Sequence, residues 1–113
     1  MVNKLQEKPK EYLKDIIDDC IYFELIYKDK PYAYFAFQLF KDATVLHNEV
    51  IAWNHNIAKQ AQGDFKYILD FLKKIGIKKV IALYPSADKK WIKFIKMFGF
   101  PEPEYLLKSV KEI

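Results

Sequence analysis

His47 and Glu49 are the residues whose types and spacing best fit proton chemistry. They lie two apart in the apolar, β-branched stretch Thr44–Ala52, TVLHNEVIA. Strand alternation sets Val45, His47, Glu49 and Ile51 on one face and Leu46, Asn48 and Val50 on the other. A carboxylate beside an imidazole on one sheet face suits general-base work, taking a proton from an amine directly or through water. The simpler reading is a partly exposed polar pair near the end of a strand. No His, Cys, Asp or Glu cluster recurs at metal-ligand spacing, so no metal is expected. Spacing singles out no Ser-His-Asp set. His55, between Asn54 and Asn56, reads as a solvated or hydrogen-bonded loop residue. The lone Cys20 has no internal disulfide partner and reads as a small core hydrophobe.

The elements around this pair follow from periodicity. Phe65, Ile68, Leu69, Leu72 and Ile75 recur at helical spacing, and Gly76 fits the left-handed position that ends a helix. Lys79–Tyr84, KVIALY, is a short run of the kind buried in a sheet. Strand, helix and strand of this length predict a right-handed crossover joining two parallel strands. Upstream, Ile21–Tyr27 and Tyr32–Phe40 flank the turn KDKP and predict an antiparallel hairpin, with Thr44–Ala52 as third strand of a meander. Pro9 opens a predicted helix with the stripe Tyr12, Leu13, Ile16, Ile17 and Cys20. Ser86 is a candidate cap for a last helix with Trp91, Ile92, Ile95 and Phe98 buried, ended by Gly99. A final strand is expected around Tyr105–Val110. The hairpin aromatics Tyr22, Tyr32, Tyr34 and Phe37 read as sheet packing; exposed, they would mark a protein interface.

At 113 residues and 51% hydrophobic the chain predicts one α/β domain, 1–113, with a dense core. No apolar run approaches the roughly 20 residues a membrane helix needs, and the opening MVNKLQEKPK has no signal-peptide core. A cytoplasmic location is expected. Net charge is +4, carried by Lys alone, because the sequence has no Arg. Lysine attracts polyanions but lacks the planar fork that grips phosphate and guanine, so only weak, non-specific nucleic-acid binding is expected. Lysines 73, 74, 78, 79, 89, 90, 93 and 96 form either one basic patch or ordinary solvated helix faces.

The order helix, hairpin, third strand, loop, helix, strand, helix, Gly-Phe, ending in DKKWIKFIKMFGF, resembles the GNAT (Gcn5-related N-acetyltransferase) superfamily over roughly Ile21 to Phe100. It is similar, more closely, to small GNAT-like proteins of tailed phages. The resemblance implies a mixed sheet: an antiparallel meander, a parallel β-α-β crossover and a C-terminal helix. It implies an acetyl-CoA site where Thr44–Ala52 and Lys79–Tyr84 splay apart, with Ile51 on the first of these strands. A Q/R-x-x-G-x-G/A loop would hold the pyrophosphate on backbone N–H groups at the start of the next helix. Counted back from Gly76, that loop falls on Asn56, Ile57, Ala58, Lys59, Gln60 and Ala61; a shifted reading uses Gln60-Ala61-Gln62-Gly63. Lys59 stands at a glycine position and Asn56 where Gln or Arg is usual. Ile95 stands where many members place a proton-donating Tyr, Asp88 replaces an Asn, and Trp91 a small Ala. The family's first strand and one early helix are absent or abbreviated.

These departures lead to two expectations. The first is a GNAT-fold protein with a degraded cofactor loop and no cofactor, acting by protein contacts with a partner or a second copy, as a phage-type virion or assembly component. Acetyl-CoA binding is then weaker than about 1 mM. The alternative is an acetyl-CoA-dependent N-acetyltransferase with an atypical loop and Glu49, with His47, at its catalytic centre.

Overall fold

A computed structural model describes residues 1–13, 20–41, 43–83, 96–97, 99 and 108–113. Strands β1 (Val2–Leu5), β2 (Cys20–Tyr27), β3 (Lys30–Leu39), β4 (Thr44–Val50), β5 (Lys79–Leu83) and β6 (Lys108–Glu112) form one six-stranded sheet in sequence order. Helix α1 (His55–Lys74) links β4 to β5. The β4–β5 pair is parallel and every other pair antiparallel. The expected mixed α/β sheet is therefore present.

The β2–β3 hairpin turns on Lys28 and Asp29, both with positive φ (48° and 65°), the backbone of a type I′ turn. Its register skips Tyr32, because Leu25 pairs with Ala33 and Ile26 with Pro31. The bulge re-aims Tyr32, so that adjacent Tyr32 and Ala33 both enter the core beneath α1. That core joins Phe23, Phe35, Phe37, Leu46 and Val80 of the sheet to Ile57, Ala61, Phe65, Ile68 and Leu72 of α1. Phe35 meets Phe65 edge-on at 5.8 Å. Tyr22, Tyr34, Ala36 and Leu13 cluster on the opposite face. All four hairpin aromatics are buried, so they are packing residues.

α1 ends as its sequence predicts. Gly76 adopts φ 94°, its N–H donates to Lys73 O and the Ile77 N–H to Leu72 O, a Schellman closure. Other expectations need correction. A first strand exists, Val2–Leu5, too short for its alternation to be legible. Pro9–Leu13 is not helical: Lys10–Leu13 form a bend, and Leu13 has φ 57°. The rest of that expected helix lies outside the described residues, as do Ser86, Asp88, Trp91, Ile95 and most of the last helix. The final strand starts at Lys108, with 105–107 also outside. The largest difference is that α1 begins at His55, ten residues before Phe65.

Candidate functional site

Among the described residues the pairing of β4 with β5 stops where the resemblance expects a cleft. The paired positions among the described residues are Thr44–Val80, Val45–Ile81 and Leu46–Ala82. Beyond Leu46, β4 runs on through His47–Val50 hydrogen-bonded to β3. Leu83 of β5 pairs with Lys108 of β6. Among the described residues the second edge of His47–Val50 therefore has no strand partner, an edge of the kind that an extended ligand pairs with.

Asn48 sits on this open segment, on the α1 side. Its Nδ2 is buried without a hydrogen-bond partner, the one side-chain nitrogen or oxygen in that condition among the described residues. An unmade bond of this kind costs about 1–3 kcal/mol, so the position has a use for a donor or carries a loss of stability.

On the opposite face, His47 is half-buried, with Nε2 3.0 Å from Gln38 Oε1. Burial lowers its pKa below the ordinary value, so the imidazole is neutral at pH 7. Glu49 is exposed, and Leu13 N–H donates to its Oε1 at 3.5 Å. The pair shares a face as expected, but each residue has its own partner. Register adds what the sequence did not show: Asn3, Glu24, Tyr34 and Glu49 form one row across β1 to β4. Tyr34 OH donates to Glu24 Oε2 at 2.7 Å, and Tyr12 stacks on Tyr34 at 4.8 Å. Burial, then the Glu24 hydrogen bond, pushes the Tyr34 phenol up to about 12, so it remains a donor. The row sets a carboxylate on each side of a tyrosine, an environment that favours a cationic amine.

The expected phosphate loop has a different conformation. Asn56, Lys59, Gln60 and Ala61 all lie within α1. Asn54 caps the helix, its side chain accepting from Ile57 N at 2.9 Å. Ile57 and Ala61 extend the apolar stripe of Phe65 and are buried in the core. Gln60 Nε2 donates to Ile26 O (2.6 Å) and Asp64 Oδ2 (3.0 Å), while Tyr32 OH donates to the same Oδ2 at 2.6 Å. Burial, with help from Asp64, pushes the Tyr32 phenol well above its ordinary range, so this donor persists. The cap, the stripe and this buried network together explain why the segment is helical. Lys59, Asn56 and Ile51 are exposed; Ala61 is not. Only residues 51–54 link β4 to α1, tied down by Ile51 N–H (2.7 Å) and Ala52 N–H (3.2 Å) donating to Tyr32 O. The first-turn N–H groups of His55 and Asn56 have no acceptor within the helix, and that turn carries no acidic residue.

No family model and no curated protein sequence matches the chain. Solved structures do. The ribosomal-protein-S18-alanine N-acetyltransferase from Escherichia coli matches with TM-score 0.66 at 16% identity, over 100% of this chain and 93% of its own. This chain has the GNAT fold. An acetyltransferase of the GNAT family from Streptococcus pneumoniae matches at 0.61 with 10% identity, covering 83% of this chain and 66% of its own. The aminoglycoside acetyltransferase AAC(6′)-Ib, in complex with coenzyme A, matches at 0.63 with 7% identity, over 82% and 66%. Against these two the chain spans about two thirds of the neighbour's length. No described helix is long and apolar enough to cross a membrane, and the described residues hold no group of metal-ligating side chains.

Proposed function

We propose that this GNAT-fold chain binds an acyl-CoA thioester along the open edge of β4 and transfers its acyl group to an amine. The observation that carries the proposal is that, among the described residues, β4–β5 pairing stops after Leu46 and Ala82 and no strand pairs with the second edge of His47–Val50, along which the amide-bearing pantetheine arm lies on this reading. Asn48 Nδ2 supplies a further donor for a ligand carbonyl. Glu49 takes the proton from the amine; the nitrogen forms the C–N bond to the acyl carbon; the C–S bond breaks, and the thiolate is protonated from water. The Glu24–Tyr34–Glu49 row draws the cationic amine to that face. Ile51 and Asn56, exposed at the strand–helix junction, and Lys59 on the first turns of α1 contact the rest of the cofactor. Glu49→Gln tests the assignment: turnover of acetyl-CoA with an amine falls about 10²–10⁴-fold while cofactor affinity is kept. Retained turnover would remove Glu49 from the chemistry.

A second reading rests on the helical conformation of 55–61. With Ile57 and Ala61 in the core, little backbone remains to cradle a pyrophosphate. On this reading the chain is non-catalytic and acts through a protein partner or a second copy, of which a virion or assembly role is one form. Exposed Val50, Ile51 and Trp53 at the mouth of the cleft would then belong to the contact.

A further inference from the structure

At the other end of the parallel pair, where β4 and β5 begin, lies a concavity of about 310 Å³ lined by Phe40, Lys41, Thr44, Ile77, Lys78 and Lys79 among others. Two features set it apart. Its surroundings are basic: Lys73 and Lys74 in the last turn of α1 join Lys41, Lys78 and Lys79, all exposed. Among the described residues the acidic side chains beside these lysines are Glu112, 3.7 Å from Lys79, and Asp70, one turn before Lys73 and Lys74 on α1. Its rim is also apolar: Leu39, Phe40 and Ile75 are 49%, 55% and 49% exposed. The backbone beside it is tied by the Schellman turn at Gly76 and by Phe40 N–H donating to Ala43 O at 2.8 Å.

We infer that this concavity docks an acidic peptide segment of a partner protein, with one apolar side chain of that segment seated between Phe40 and Ile77. Charge complementarity selects the acidic segment. The hollow suits a projecting side chain, whereas a bilayer surface would favour a convex apolar face. Single-stranded nucleic acid is held by several stacking aromatics, and among the described lining residues Phe40 is the one aromatic. The inference is independent of the acyl-transfer reading, because it uses no residue of His47–Asn56.

The test is a titration of the full chain with a fluorescein-labelled peptide, EEDFEDLEE, against a control, EEDSEDSEE, that has the same charge and no apolar side chain. Amide shifts of the protein are followed alongside. The first peptide is expected to bind at least about tenfold tighter than the control, with shifts centred on Phe40, Lys41, Ile77 and Lys78. Both Lys78→Glu and Lys41→Glu should weaken it by about tenfold, and added salt should weaken it further. Failure to bind, equal binding of the two peptides, or shifts centred on His47–Asn54 would each overturn the inference. So would unchanged affinity in both variants. Tighter binding to phosphatidylserine vesicles or to an oligo-dT strand would overturn it in favour of a membrane or nucleic acid.

Discussion

Asn48 is where function and stability are set against each other. Its buried Nδ2 lacks a partner, on a strand segment whose second edge has no strand partner among the described residues. If the amide is held for a ligand carbonyl, Asn48→Leu should raise stability by about 1–3 kcal/mol in urea unfolding and weaken acyl-CoA binding. A loss of stability would show that the amide is satisfied in solution. His47 gives a pH signature. Burial lowers its pKa, so between the folded and unfolded values the unfolded chain binds the extra proton. Its contribution is therefore full above the unfolded value, about 6.5, and is lost as pH falls below it. His47→Gln should flatten the rise in thermal midpoint on going from pH 5 to 7; an unchanged slope would locate that dependence in the carboxylates.

The hairpin turn and the helix start show what can be read at the level of elements. The turn KDKP was legible as a tight connection, but Lys28 and Asp29 both adopt left-handed backbone that costs non-glycine residues roughly 1 kcal/mol or more each. Lys28→Asn with Asp29→Gly should therefore stabilise the protein by about 1–2 kcal/mol, read from the urea midpoint. No gain would mean that cross-strand contacts, not the turn, set the hairpin. The parallel crossover and the Gly76 closure could be read from periodicity and from one glycine. The start of α1 could have been read as well: Asn54 is a good cap, and Ile57 and Ala61 lie at spacings of four before Phe65. Counting a loop back from Gly76 hid that signal. The row Asn3, Glu24, Tyr34 and Glu49 was not legible, because cross-strand neighbours are decided by register across distant segments. The bulge that turns Tyr32 toward Asp64 was hidden for the same reason.

At the scale of the whole molecule, one sheet presents different chemistry at its two ends. A core shared by the sheet and α1 holds β4 and β5 together at Thr44–Leu46. Past that point the second edge of His47–Val50 has no strand partner among the described residues and runs toward the capped start of α1; at the other end lies a lysine-rich hollow. The GNAT fold alone does not decide whether the open edge is used. On the proposed reading, helical 55–61 leaves little backbone for a pyrophosphate while the second edge of His47–Val50 serves the pantetheine arm, so modest affinity is predicted. The direct measurement is an acetyl-CoA titration followed by backbone amide shifts. The account predicts saturable shifts centred on His47–Val50 and His55–Asn56, with a Kd of about 0.1–1 mM, or about 4–5.5 kcal/mol. Absence of shifts along His47–Val50 well above about 1 mM acetyl-CoA, or saturable shifts confined to other parts of the chain, would contradict it.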